Sequence, residues 1–247
     1  MTPEDFSRLI RSRRSTRDFL PTAVPQDVLD AIFDDALQSP SWSNTQPYRI
    51  AVATGEVRDR IAKALTANFD AGMRALEGGA RGKLKAFVTR EGMPDGDFKV
   101  NFEYPKDLTP ARRATGFGLY KLLGIDRHDR PARNAQMRKN FEFFGAPVAL
   151  FIFVHKGLRE YSVLDAGILL QSIMLSAHAR GLGTCAQGAL ATWASPVRAE
   201  FDVPADYKLI CGMALGYPSE NKVNAFNPGR AATNTITLQT QNARQLN

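Results

Sequence analysis

Histidine is scarce in this 247-residue chain, with three, and cysteine scarcer still, with two. His128, His155 and His178 fall at no metal-ligand spacing, and Cys185 and Cys211 form neither a CxxC pair nor a zinc pattern. A disulfide framework is excluded, and free buried thiols in a cytoplasmic protein are the expected state. His155 and His178 lie in apolar stretches and read as core histidines. There is no GxSxG and no phosphate-loop lysine motif. The "GLG" at residues 181–183 follows a helical pattern, not a strand, so it makes no dinucleotide fingerprint. Cys185 sits after a glycine turn but lacks a histidine partner, which leaves a thiol nucleophile as a minor alternative. Long uninterrupted apolar runs are also missing. The longest stretch, Val163 to Ala179, contains Asp165, Gln171 and His178 and reads as a buried helix, not a membrane span. The opening MTPEDFSRLI is acidic and amphipathic, without the apolar core of a secretion signal.

What is present is an ordinary globular composition, 44% hydrophobic and 23% charged, in a chain long enough for one large domain spanning 1–247. The net charge of +7 is concentrated: residues 81–140 hold 14 Lys/Arg against 7 Asp/Glu, and the remainder is balanced. No zinc spacing, aromatic RNA-binding run or reading helix accompanies that charge. It reads as a basic lid over a site for anionic ligands, with no nucleic acid expected.

Periodicity places the elements. Thr2, Pro3 and Asp5 make a capping-box start for a helix with Phe6, Leu9 and Ile10 on its apolar face. A second helix follows Pro25 and stops near Gln38, because Pro40 disfavours helix before it. Residues 48–55 read as a strand and 56–76 as a helix, with no firm assignment from there to Gly92. Met93–Pro110 is a long irregular connection, followed by basic helical stretches around Leu119 and Met137. Ala146–His155 reads as a central strand, Ser162–Arg180 as a helix ended by Gly181, and Tyr207–Pro218 as a last core strand. "GLGTCAQGAL" (181–190) reads as a turn. The alternating tail 233–240 suits addition to another subunit's sheet edge.

Three clusters can bind. "RRSTRDF" (13–19) offers Arg13, Arg14, Ser15 and Arg17, whose guanidinium forks suit a phosphate. "SPSWSNTQPYR" (39–49) crowds hydroxyls and amides at a helix end, as a loop holding a flat polar ring by its edge would. "NAFNPGR" (224–230) adds Arg230 after a Pro-Gly turn.

These motifs, with "GLGTCAQG" and "GYP", occur in an order that resembles the nitroreductase family of FMN-dependent enzymes across essentially the whole chain. The section from "YPKDLTPARRATG" to "GAPV" is similar to its nitrobenzoate-reductase-like branch. The resemblance implies an α+β fold with a central mixed sheet flanked by helices, in an intertwined homodimer with a C-terminal arm at about 225–247. It implies FMN as cofactor, with NADPH or NADH as co-substrate in a ping-pong reaction on a nitroaromatic or quinone-like small aromatic acceptor. Arg13, Arg14, Ser15, Arg17 and Arg230 would hold the phosphate, ribityl chain and pyrimidine edge. Pro40, Ser41, Trp42 and Asn44 would come from the other subunit, and Gln187 and Gly188 would lie near flavin N5. No side chain would act as a catalytic nucleophile. Trp42 stands where the family commonly has a small residue, Tyr48 where it often has tryptophan, and Gln187 where some members have glutamate. The same fold serves deiodinase-like chemistry, to which "NFEYPKD" with Glu103, Tyr104 and Lys106 could contribute, and flavin fragmentation. A non-catalytic flavin carrier or a basic nucleic-acid binder is the alternative of another class.

Overall fold

The computed structural model describes residues 2–98 and 103–238. Its first helix, α1 (Pro3–Ser12), starts as its sequence dictates: the Thr2 hydroxyl accepts from the Asp5 N–H, and the Asp5 carboxylate accepts from the Thr2 N–H. Next comes α2 (Gln26–Ala36), which buries Leu29, Ile32 and Ala36. Strand β1 (Tyr48–Thr54) runs straight into α3 (Gly55–Glu77). The stretch after it, without a firm sequence assignment, is helix α4 (Gly79–Thr89). The basic stretches are α5 (Thr109–Leu123) and α6 (Arg130–Arg138). Strand β2 (Val148–His155), helix α7 (Glu160–Ala179), strand β3 (Gly183–Gln187) and strand β4 (Tyr207–Gly216) complete the core.

The strands lie in the order β1-β2-β4-β3, and each neighbouring pair is antiparallel. Parallel pairing among the described residues is confined to a single bridge between Ser15 and Thr184. As its apolar run predicts, β2 is central, and its alternating side chains feed two cores. Ala149, Phe151 and Phe153 pack with Ile61, Leu65 and Phe141, while Leu150, Ile152 and Val154 pack with Ile32, Leu169 and Ile173. Each of these side chains larger than alanine contributes about 1.5–3 kcal/mol when fully buried.

Two differences from the sequence reading stand out. The 183–187 segment, expected as a turn, is an edge strand. It has few β-branched or aromatic residues, and its pairing depends on glycine: a Cβ on Gly183 would meet Thr16 Oγ1 at 2.3 Å, and one on Gly212 opposite would meet Leu190 Cδ1 at 2.4 Å. The tail expected to alternate as a strand begins instead with a 3-10 turn at Thr233–Thr235, and its remainder from residue 239 lies outside the described residues. Helix α7 is long and apolar enough to cross a membrane by composition. In the fold it lays Asp165, Ala166, Leu169, Ile173 and Ala177 into the protein, as a core helix does.

Candidate functional site

The arginine segment is placed by the β3 edge. Thr16 N donates to Thr184 O at 2.9 Å, continuing the sheet by one bond and laying residues 13–17 along the strand. Asn224 locks the segment from the other side. Its Oδ1 accepts from Arg17 N at 2.8 Å, and its Nδ2 donates to Asp18 O at 2.8 Å and Ser219 O at 3.0 Å. Arg17 lies over the Phe226 ring at 5.9 Å.

Among the described residues, no acidic side chain lies within salt-bridge reach of Arg13, Arg14, Arg17 or Arg230. Burial, and then the nearby Arg230 charge, push the Arg13 guanidinium below its ordinary pKa. Two like charges brought together and partly desolvated make a receptor for an anion. A cavity of about 270 Å³ opens beside them, lined in part by Arg13, Arg14, Thr16, His178 and Asn224. Cys185, on the same strand, is buried, and burial raises its thiol pKa, which is the opposite of what a nucleophile needs.

Three residues beyond Thr184 along β3, about 10 Å at the usual strand rise, Gln187 is 3% exposed. Its Nε2 donates to Asn140, and its Oε1 is buried without a hydrogen-bond partner. Gly188 follows with open space where a side chain would stand. One edge strand therefore carries an anion receptor at one end and an unsatisfied acceptor at the other.

The polar loop sits elsewhere. Trp42 N donates to the buried Asp165 carboxylate at 3.1 Å, and the Trp42 ring lies 4.2 Å from that of Tyr161, both near the start of α7. Ser41 Oγ accepts from Gln46 N at 2.9 Å, and Ser39 and Ser172 join hydroxyls at 2.7 Å. Ser43, Asn44 and Gln46 all take positive φ, at 48°, 54° and 47°, a conformation that needs such anchors. Pro40, Trp42 and Asn44 are exposed. The arginine segment, by contrast, meets the far end of α7, where Ser12 Oγ and His178 Nε2 are 2.8 Å apart. Thirteen residues of helix separate Asp165 from His178, about 20 Å. Thus a single chain brings Arg13, Arg14, Ser15, Arg17, Arg230, Gln187 and Gly188 to one side, and does not bring Pro40, Ser41, Trp42 and Asn44 to them.

Residues 10–217 match the profile of the nitroreductase family. The chain belongs to that family. Among curated nitroreductases it is 34% identical to the 4-nitrobenzoate reductase of Pseudomonas putida, over 88% of this chain and 87% of that one. It is 32% identical to the chloronitrobenzene nitroreductase of Comamonas testosteroni, over 93% and 94%. Of solved structures, the FMN-dependent nitroreductase NfnB from Mycobacterium smegmatis, crystallised in complex with NADPH, superposes with a TM-score of 0.81 at 30% identity, covering 96% of this chain and 99% of that one.

Several residues of the candidate site have no motif of their own. Asn140 and Asp165 act through hydrogen bonds spanning 47 and 123 residues. Asn224 stands in the "NAFNPGR" stretch, where only the arginine carries an evident ligand chemistry. Residues 93–97, read as irregular connection, are pinned beside the 3-10 turn Gly188–Thr192. Trp193 Nε1 donates to Met93 O at 3.1 Å, Asp95 accepts from Ala194 N at 2.7 Å, and Asp97 pairs with Arg198 at 2.9 Å.

Proposed function

We propose that the protein is an FMN-dependent oxidoreductase, moving a hydride from NADPH or NADH to a nitroaromatic or quinone-like acceptor in ping-pong order. The observation that carries this reading is the cluster of arginines held against one edge strand, none of them within salt-bridge reach of an acidic side chain among the described residues. An elongated cofactor that presents a phosphate and a polar ring edge fits that cluster. In this reading Arg13 and Arg230 clamp the phosphate, Arg14 and Ser15 hold the ribityl chain, and Arg17 serves the pyrimidine edge. When bound, FMN supplies a reversible two-electron store that lets donor and acceptor use one site in turn. The protein's part is to orient it, to supply fixed positive charge where the reduced ring gathers electron density, and to exclude water. The relatives' nitroaromatic names and the NADPH-bound neighbour support the substrate and donor classes.

The proposal includes a homodimer with two shared sites. Tyr161, Leu164, Ile168, Gln171, Leu175 and His178 recur at alternating steps of three and four along α7, and none is buried in the single chain, Leu164 being 60% exposed. That is the spacing of a helix–helix seam. Antiparallel pairing of α7 with its copy would carry Pro40, Ser41, Trp42 and Asn44 of one subunit to the arginine segment of the other. The outer edge of β1, unpaired among the described residues, would accept the arm at 225–247. Residues 81–140 act as the basic lid that draws in anionic donors and acceptors. The free cysteines fit a reducing, cytoplasmic setting.

The test is the visible spectrum of the purified protein, followed anaerobically. Flavin bands that bleach with NADPH or NADH and return with a nitroaromatic are expected. A protein that stays colourless after incubation with FMN would end this reading.

A further inference from the structure

None of the 15 residues of the basic helix α5 is buried, so no stripe of core side chains seats it. It packs on the 3-10 turn Lys222–Ala225, and beside that turn the contact is a notch. Gly118 leaves room for a ring: a Cβ there would meet Phe226 Cε2 at 3.1 Å and Cζ at 3.5 Å. Phe226 is 9% exposed, and the Arg17 guanidinium lies over its ring at 5.9 Å, within reach of a cation–π attraction. One phenyl ring therefore faces both the basic helix and the arginine segment. The turn that carries the ring is fixed to that segment. Phe226 N donates to Val223 O at 3.2 Å, Asn221 Oδ1 accepts from Val223 N at 3.0 Å, and Asn221 Nδ2 donates to the Asp18 carboxylate at 3.3 Å. Among the described residues, the Arg17 guanidinium makes one hydrogen bond, to Ser15 O at 3.3 Å, which leaves the ring as the other group that directs it.

We infer that Phe226 is a positioning residue that couples the seating of α5 in this notch to the direction of the Arg17 guanidinium. The cofactor end of the coupling rests on the flavin reading above. Helix α5 carries Arg112, Arg113 and Lys121 and no acidic residue, so seating it adds positive charge beside a cluster that is already positive. A helix without buried side chains has little packing to set against that repulsion. An anion held by the arginine segment relieves it. The seated helix in turn keeps the Phe226 ring under Arg17. Anion binding and seating therefore favour each other, and by linkage the effect runs equally in both directions. A side chain at position 118 fills the notch and breaks the link without changing any charge.

The experiment makes two measurements: FMN uptake by the apoprotein, followed by fluorescence quenching, and amide hydrogen exchange across Thr109–Leu123, followed by mass spectrometry. The proteins are wild type, Gly118→Leu, Arg17→Ala, the double variant and Phe226→Leu. Leucine is a better helix former than glycine, and α5 buries nothing, so Gly118→Leu keeps its fold and its helix. It is expected to weaken FMN binding about two- to fivefold, the scale of one exposed cation–π contact. In the Arg17→Ala background it is expected to cost nothing further, which a purely structural glycine would not do. FMN is expected to slow α5 exchange in wild type and to leave it unchanged in Phe226→Leu. No loss in Gly118→Leu, or equal losses with and without Arg17, would overturn the coupling, and so would slowing that survives Phe226→Leu. Wild-type apoprotein that takes up no FMN would end the flavin reading by itself. Inorganic phosphate, used as the anion in the same exchange measurement, would then decide the coupling: slowing of α5 in wild type alone would uphold it, and unchanged exchange would overturn it.

Discussion

Arg13 makes a prediction in which stability and binding move in opposite directions. Its pKa is lowered in the folded chain, first by burial and then by the neighbouring Arg230 charge. A cation whose proton is held less tightly after folding opposes folding wherever it is charged, which for arginine includes all of neutral pH. Replacing Arg13 by glutamine removes that charge, and the apoprotein is expected to melt at a higher temperature than wild type. In the proposed site the same change also removes a charge-assisted contact to the FMN phosphate, worth about 1.5–3 kcal/mol, which is roughly a 10- to 150-fold weaker FMN affinity. Riboflavin, which has the ring and ribityl chain but no phosphate, supplies the control, and its affinity is expected to stay within about twofold. Thermal denaturation of the apoprotein and fluorescence titration with both ligands read the two effects separately. An apoprotein destabilised by the change, or equal losses for FMN and riboflavin, would refute the reasoning. The first outcome would make Arg13 a structural residue, and the second would detach it from the phosphate.

Three further outcomes are expected. Co-expressing a copy carrying Arg13→Ala and Arg17→Ala with a copy carrying Asn44→Ala should restore FMN turnover to about a quarter of wild type, because half of random dimers are mixed and each of those holds one intact shared site; no restoration would argue against sites built from two subunits. Asn224→Ala loses one accepted and two donated hydrogen bonds, so a loss of about 1–3 kcal/mol in denaturant unfolding should accompany weaker FMN binding, and unchanged values of both would clear Asn224 of any role in placing the arginine segment. His178 has its pKa lowered from 6.5 by burial and then by Arg13, so the cation is disfavoured in the fold. Stability is therefore retained above the ordinary imidazole value and lost as pH falls below it through the folded value. His178→Gln should flatten that part of the melting-temperature profile, and an unchanged acid slope would contradict the assignment.

How much of this was legible in the sequence depends on the range over which each residue acts. The start of α1 and the central position of β2 follow from local signals, a capping box and an unbroken apolar run. The arginines were legible because a dense cluster of guanidinium groups is chemically conspicuous at any depth. Strand β3 was hidden because its residues, GTCAQ, have little strand propensity of their own. It forms because Gly183 admits Thr16 and Gly212 admits Leu190, and both conditions are set by distant chain. Asp165 and Asn140 were hidden for a related reason. Each looks like an ordinary polar residue until the fold brings it to Trp42 or Gln187.

In the proposed dimer, the placement of the Trp42 loop and the arginine segment at opposite ends of α7 turns that helix into a ruler. Inserting or deleting one residue between Asp165 and His178 would move one end by about 1.5 Å and rotate it by about 100° relative to the other. The Trp42 loop and the arginine segment would then be misaligned in both sites of a dimer at once. Length variation in proteins built on this plan should therefore fall outside α7, and the long connection ahead of α5 has room for it. Loop grafts that seek a new acceptor have the same freedom there, provided the pins at residues 93–97 are kept.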